Sequence, residues 1–216
     1  MKVIIAGSTG MVGNLVLQNC IASDKISDIT VLNRRQSDAG THKKVKEVVL
    51  ESFTNYTEHS ELFHSIDVAF FCIGAYTGQV DDAQFKAITV DYAVEFAKAM
   101  ERNSPNATFC LLSGAGADRT EKSRFAFARY KGMAENQISE LGLKFFSFRP
   151  GYIYPVRPRK EPSAMYSILR KLYPLLKLMG GNSSIKSTEL ASAMLIVGIQ
   201  GFDKEVLENR DILKVR

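Results

Sequence analysis

The chain reads as a doubly wound α/β protein, a Rossmann-like parallel sheet with helices on both faces and a small helical cap near the C-terminus. Across the first two-thirds, short and nearly continuous apolar runs alternate with longer runs of helical period. A glycine-spaced turn, "AGSTGMVG", joins the first apolar run to the first helical one. With 216 residues the chain has room for one sizeable core and little for a second independent domain.

The strand candidates are "KVIIAG" (2–7), "DITVLN" (28–33), "KEVVL" (46–50), "DVAFFCIG" (67–74), "ATFCLLSG" (107–114) and "KFFSFRPG" (144–151). Between them the spacing predicts helices over 11–22, 57–64, 81–102 and 123–141. The third is the clearest, with Phe85, Ile88, Tyr92, Phe96 and Ala99 recurring at helical intervals. After Gly151 the pattern changes to a basic, proline-rich connector, "YIYPVRPRKEP". An amphipathic run, "SAMYSILRKLYPLLKLM", a polar stretch and a last helix over 188–200 follow. The whole, 1–216, is expected to be one nucleotide-binding unit, with 152–187 capping its substrate side.

Composition narrows the partners. At 45% hydrophobic and 24% charged residues the chain is that of a globular protein rather than a disordered one. A net charge of +5 favours anionic ligands without choosing among them. Cys72 and Cys110 lie inside apolar runs and no C-x-x-C is present, so buried, reduced thiols and a cytoplasmic setting are expected. The three histidines show no ligand grouping with the cysteines, so no metal is expected. Met1 and Lys2 lead straight into a strand, which argues against a secretory leader, and "AMLIVGIQGF" is too short to span a bilayer. Nucleic acid is not expected, because no recognition motif accompanies the charge.

Gly7, Gly10 and Gly13 stand at G-x-x-G-x-x-G spacing between strand and helix. Such glycines allow a tight turn and a close backbone approach to a pyrophosphate, with the helix N-terminus aimed at it. About 20 positions on, where an acidic residue would take the ribose hydroxyls of NAD, the chain has Asn33, Arg34 and Arg35. With two guanidiniums in place of a carboxylate, NADP(H) is preferred over NAD(H).

These stretches, with "VLNRR", "FFCIGAYTG", "LLSGAGAD", "KGMAE" and "FRPGYIYP", resemble the atypical branch of the short-chain dehydrogenase/reductase superfamily, and within it the Tat-interacting-protein-like oxidoreductases. The resemblance covers most of 1–155. It implies that Gly7, Ser8, Thr9, Gly10, Met11 and Val12 line the pyrophosphate, and Arg34 and Arg35 the 2′-phosphate. It further implies that Cys72, Ile73 and Gly74 run along the adenosine and ribose, and Pro150, Gly151, Tyr152 and Ile153 along the nicotinamide. Ser113 matches the serine that orients a substrate carbonyl, and Lys131 the lysine that holds the nicotinamide ribose.

One position breaks the pattern. The family's Y-x-x-x-K tyrosine would stand at 127, where this chain has phenylalanine. Removing a general acid typically forfeits about 10²–10⁴ in rate. Tyr130 is the catalytic candidate in its stead, turned by roughly 60° from Phe127 and displaced by about 4.5 Å along the helix. Tyr76, Tyr152 and Tyr154 are further phenols at the same end of the sheet. After the third strand, Leu50 stands where the family often carries an acidic adenine contact.

The segment from Arg157 to Lys186 adds Arg159, Lys160, Arg170, Lys171 and Lys177 against the single acid Glu161. It would frame the crevice at the strand ends, which suits a small, anionic substrate; its apolar face could instead touch a membrane surface without inserting. Two readings follow: an NADP(H)-dependent oxidoreductase on a small carbonyl or alcohol, with epimerases and dehydratases as a sub-variant, or a non-catalytic NADP(H)-binding sensor.

Overall fold

The computed structural model of the chain describes residues 1–76, 78–157, 170, 173 and 182–215. Nine strands and six α-helices run in the order β1 (Lys2–Ala6), α1 (Met11–Ala22), β2 (Asp28–Asn33), β3 (Val45–Val49), β4 (Val68–Phe71), α2 (Asp82–Lys86), α3 (Tyr92–Asn103), β5 (Thr108–Leu112), α4 (Ala126–Ser139), β6 (Lys144–Arg149), β7 (Tyr152–Tyr154), β8 (Ser184–Lys186), α5 (Ser187–Gln200), β9 (Val206–Glu208) and α6 (Asn209–Ile212), counted among the described residues.

Seven strands form one parallel sheet in the order β3-β2-β1-β4-β5-β6-β9, and β7 pairs with β8 in a second, two-stranded sheet. The order reverses between β1 and β4, so the crevice outside their carboxyl ends is the place for a ligand. The continuous apolar runs mark this sheet because both faces are covered. Ile4, Ala6, Phe71 and Phe109 pack with α3 residues such as Phe96 and Ala97. Val3, Ile5, Val68 and Phe70 pack with Val16, Leu17, Leu190 and Met194 of α1 and α5. Phe96 centres the first layer, its ring 5.4–5.8 Å from those of Tyr56, Phe63, Phe71 and Phe109.

Several elements differ from the sequence expectation. The helix expected over 81–102 is two helices joined by a π turn, Ala87–Asp91. Three consecutive β-branched residues, Ile88, Thr89 and Val90, are buried there, and their stiff side chains crowd an ordinary helical turn. The 57–64 segment is a 3₁₀ helix, Thr57–Phe63, kinked at His59. Helix α4 starts at Ala126 rather than 123, because the Asp118 carboxylate takes the Ser123 and Thr120 amides and holds 118–123 as a turn. The short strands β7, β8 and β9 had no counterpart in the sequence reading.

Of the expected cap, β7, β8 and the start of α5 are seen, and most of "SAMYSILRKLYPLLKLM" lies outside the described residues. No helix among the described residues is long and apolar enough to cross a membrane.

Candidate active site

The glycine loop closes onto the end of β4. Gly7 has φ +86°, and a Cβ there would sit 3.0 Å from the backbone of Cys72 and Ile73. A Cβ on Gly13 would lie 2.2 Å from the Gly7 carbonyl oxygen, so α1 packs on the loop only as glycine. Gly7 N–H donates to Leu32 (3.1 Å) and Gly10 N–H to Gly7 (3.1 Å), which fixes the turn and leaves the α1 N-terminus over the crevice. Ser8 and Val12 lie under this turn, 1% and 4% exposed.

Ser8 Oγ donates to Asn33 Oδ1 (3.0 Å), and Asn33 Nδ2 donates to Glu47 Oε1 (2.7 Å). Both ends of the Asn33 amide are thus spent inside the protein. Glu47 also accepts from the Ser37 amide and hydroxyl. Burial pushes its carboxyl up, but the bonds from Ser37, Asn33 and Gly40 outweigh this and hold it below the usual range. The expectation that no carboxylate stands near the second strand's end is corrected here: β3 brings one across. Arg34 and Arg35 beside it are exposed and have no ion-pair partner among the described residues.

Two cavities meet along this crest. One, of about 150 Å³, is lined by Thr9, Gly10, Arg34, Arg35, Phe53 and Cys72–Gly74. The other, of about 340 Å³, shares Cys72, Ile73 and Gly74 and extends past Met11 to Ser113, Phe127, Lys131 and Pro150–Ile153. Leu50, 2% exposed, belongs to the core and lines neither. Burial pushes the Cys72 thiol up to about 12, so this cavity-lining cysteine is a poor nucleophile. Of the basic connector, Arg157 lines a third cavity of about 390 Å³ beside Thr9 and Met11.

At the far end the hydrogen bonds redirect the expected groups. Ser113 Oγ donates to Glu135 Oε1 (2.6 Å). Glu135 is fully buried and also accepts from Ser147 Oγ (2.7 Å), Arg119 Nε (3.1 Å) and two nitrogens of Arg149. Burial pushes this carboxyl up, but the bonds from Arg149, Ser113 and Ser147 outweigh it and keep it ionised. Arg149 in turn donates to Glu208 (3.1 Å) and Arg119 to Glu205 (2.6 Å). Tyr130, expected as a replacement acid, is 6% exposed, and its hydroxyl donates to Asp82 (2.7 Å), away from the residues lining the Ser113–Lys131 cavity.

Lys131 Nζ donates to the Leu112 carbonyl (3.4 Å) and lies 5.5 Å from the centre of the Phe127 ring. Burial draws its pKa down to about 8, with the Glu135 charge pulling the other way. Tyr76 and Tyr152 line the same cavity, and Tyr154 stacks on Tyr173 with ring centres 4.0 Å apart.

The sequence reading missed Glu135, Arg149, Arg119 and Glu47. Only Glu135 left a signal: it stands four residues after Lys131 in "KGMAE", on the same helix face.

No family model matches the chain. It is 27% identical over 218 residues to Protein HTATIP2 of Rattus norvegicus, covering 98% of this chain and 88% of that one. Against Protein fmp52, mitochondrial, of Emericella nidulans it is 30% identical over 170 residues, 75% of this chain and 71% of the relative. Protein FMP52, mitochondrial, of Debaryomyces hansenii is likewise 30% identical over 166 residues, with 74% and 70% covered. Among solved structures, the Bordetella bronchiseptica enzyme WbmG in complex with NAD superposes with a TM-score of 0.72 at 14% identity, over 95% of this chain and 71% of that one. A short chain dehydrogenase family protein of Francisella tularensis gives 0.66 at 14% identity, over 96% and 95%. The fold and the sequence kinship agree with the resemblance to Tat-interacting-protein-like oxidoreductases: the chain belongs to the FMP52 family, relatives of HTATIP2 on the short-chain dehydrogenase/reductase fold.

Proposed function

We propose that this protein is an NADP(H)-dependent oxidoreductase acting on a small carbonyl or alcohol, working in the cytoplasm with its three buried thiols reduced. The observation that carries the reading is the pair of cavities that share Cys72–Gly74 and run from the two arginines to Ser113 and Lys131. The turn at Gly7–Gly10 and the amides of α1 suit a pyrophosphate, for which a side chain at Gly7 or Gly13 would leave no room. Arg34 and Arg35 suit the 2′-phosphate, while Glu47 accepts from Asn33 and Ser37. Lys131 suits the nicotinamide ribose, and Pro150–Ile153 the ring. When bound, the cofactor supplies hydride exchange at its nicotinamide carbon.

WbmG is described in complex with NAD, so the choice of NADP(H) here rests on the arginines. Calorimetric titration should give tighter binding of NADPH than NADH. Arg34→Ala should weaken NADPH by roughly ten- to a hundredfold, about 1.5–3 kcal/mol for a charge-assisted phosphate contact. Equal affinities for the two cofactors would remove the preference.

Phe127 favours a second reading, a non-catalytic NADP(H)-binding sensor, because the side chain has no proton to give. Steady-state assays with NADPH and a panel of aldehydes and ketones separate the two: turnover supports the oxidoreductase, and tight binding without turnover supports the sensor. Arg157 beside the α1 end of the cleft makes anionic carbonyls the first members of that panel.

A further inference from the structure

The cavity of about 340 Å³ offers a substrate few protons among the described residues that line it. The one hydrogen of the Ser113 hydroxyl points at Glu135, in surroundings where Ser113 is 6% and Glu135 0% exposed. Glu135 is an ionised carboxylate that also receives Ser147 and two guanidiniums. Turning Ser113 outward would strip a donor from a buried charge, an unfavourable exchange. Ser113 therefore offers lone pairs to the cavity rather than a proton. Phe127 has none, and the Tyr130 hydroxyl donates to Asp82. Tyr76 and Tyr152 add two phenols to the same wall. Lys131 Nζ carries three hydrogens and meets one acceptor among the described residues, the Leu112 carbonyl at 3.4 Å.

We propose that Lys131 is the proton donor of this pocket, and that Glu135 is the positioning residue that leaves the task to it by committing the Ser113 hydrogen. The proposal rests on the oxidoreductase reading above. As hydride from the reduced nicotinamide arrives at the carbonyl carbon, Lys131 Nζ gives one proton to the carbonyl oxygen. The C=O π bond breaks, one C–H and one O–H bond form, and the substrate is reduced by two electrons as the nicotinamide is oxidised. The neutral amine recovers its proton from solvent. In the reverse direction the neutral amine takes the alcohol's proton, and the Ser113 lone pairs accept from the alcohol hydroxyl while it waits.

The charged neighbours agree with such a role. Glu135, on the same helix, is the carboxylate acting on Lys131. Arg149 of β6 and Arg119 of the loop after β5 bind Glu135, with Glu208 and Glu205 behind them. Asp82 of α2 is turned to Tyr130. The cavity walls add the phenols Tyr76 and Tyr152. Burial lowers Lys131 to about 8, so ammonium and amine are both accessible near neutral pH. Reduction needs the ammonium, so its rate should hold below about 8 and fall as pH rises through it. Oxidation should show the mirror image.

Four experiments test this. In the cofactor-free protein, NMR of ¹³C-labelled lysine side chains, with Lys131 assigned by its loss in Lys131→Arg, should give a titration near 8. A midpoint near the ordinary lysine value of about 10.4 overturns the proposal. Lys131→Arg keeps the charge and the ribose donors but cannot release a proton. It should bind NADPH within about tenfold of the wild type while its turnover falls by about 10²–10⁴. Ser113→Ala should lose less turnover than Lys131→Arg; the opposite order makes the serine the donor and overturns the proposal. Glu135→Gln removes the charge that holds the lysine up, so the Lys131 midpoint and the falling limb of the rate should move to lower pH. An unshifted limb removes Glu135 from the scheme. If Glu135→Gln does not fold, Lys131→Arg and the wild-type titration still decide. NADPH binding without turnover by the wild type sinks the oxidoreductase reading and the proposal together. Turnover that survives Lys131→Arg sinks the proposal alone.

Discussion

The two ends of the cleft are built by different means. At the glycine end the shape is set by backbone: Gly7 at positive φ, Gly13 against the Gly7 carbonyl, and amides in a fixed turn. At the serine end it is set by side chains converging from distant elements on one buried carboxylate, Glu135. A backbone-built site survives changes in neighbouring side chains, because its donors belong to every residue type. A side-chain-built site can hold the expected residue types, a serine at 113 and a lysine at 131, and still redistribute their hydrogens. The comparison teaches that a motif locates a cleft more securely than it assigns a proton.

The sharpest way to break this contrast is to remove its hub. Glu135→Leu leaves Arg149, whose side chain is 13% exposed, without its main partner. Stripping one partner from a buried pair costs about 3–5 kcal/mol, read as a lower midpoint in urea unfolding. A loss below about 1 kcal/mol, the level of a surface pair, would mean the hub is not built on this charge. The pH dependence follows from the lowered Glu135 pKa. A carboxyl whose folded pKa is depressed adds stability above its unfolded value of about 4.3, and that stability is lost as pH falls through the folded value. Wild-type stability should therefore decline below about 4–5 more steeply than that of Glu135→Leu.

Gly13→Ala attacks the other end. A Cβ 2.2 Å from the Gly7 oxygen must push α1 from the loop, with an expected stability cost of about 1–3 kcal/mol for overpacking. NADPH binding should suffer along with stability. Unchanged affinity would separate the loop from the cofactor site.

Phe127→Tyr puts a phenol one helical turn before Lys131, where the phenyl ring already faces the ammonium at 5.5 Å. A gain in carbonyl reductase turnover of about tenfold or more is expected, since a second acid joins the first. No gain would argue against a carbonyl reaching that face. The smallest effect belongs to Tyr130→Phe. It removes the bond to Asp82, which should lower stability by about 1 kcal/mol and leave turnover near the wild-type rate. A large rate loss would return Tyr130 to the role of acid.

The legibility of the chain follows the same division. Strands β1, β4, β5 and β6 were readable because helices on both faces demand unbroken apolar runs. Strands β7, β8 and β9 have three residues each, too few for any period to emerge. The π turn was hidden because Phe85, Ile88, Tyr92 and Phe96 keep a helix-like rhythm through it. Gly7 to Gly13 announced the turn, since both its glycine demands lie within seven residues. The partners of Glu135 lie 12 to 22 positions away and those of Arg149 up to 59, so no local spacing could announce them. Glu47 escaped notice for a related reason: it reaches the end of β2 only because β2 and β3 pair in parallel register.

The bond from Arg149 to Glu208 also has a consequence for when the site comes into being. Strand β9 joins the sheet at β6 through Ser147–Val206, Phe148–Leu207 and Arg149–Glu208. The bond from Arg149 to Glu208 spans 59 positions, so closing that loop opposes it. Until β9 docks, Arg149 and Arg119 lack Glu208 and Glu205 to hold their outer nitrogens, and their grip on Glu135 is loose. The direction of the Ser113 hydroxyl is then less firmly set. The serine end thus keeps its wiring only while the edge strand is docked.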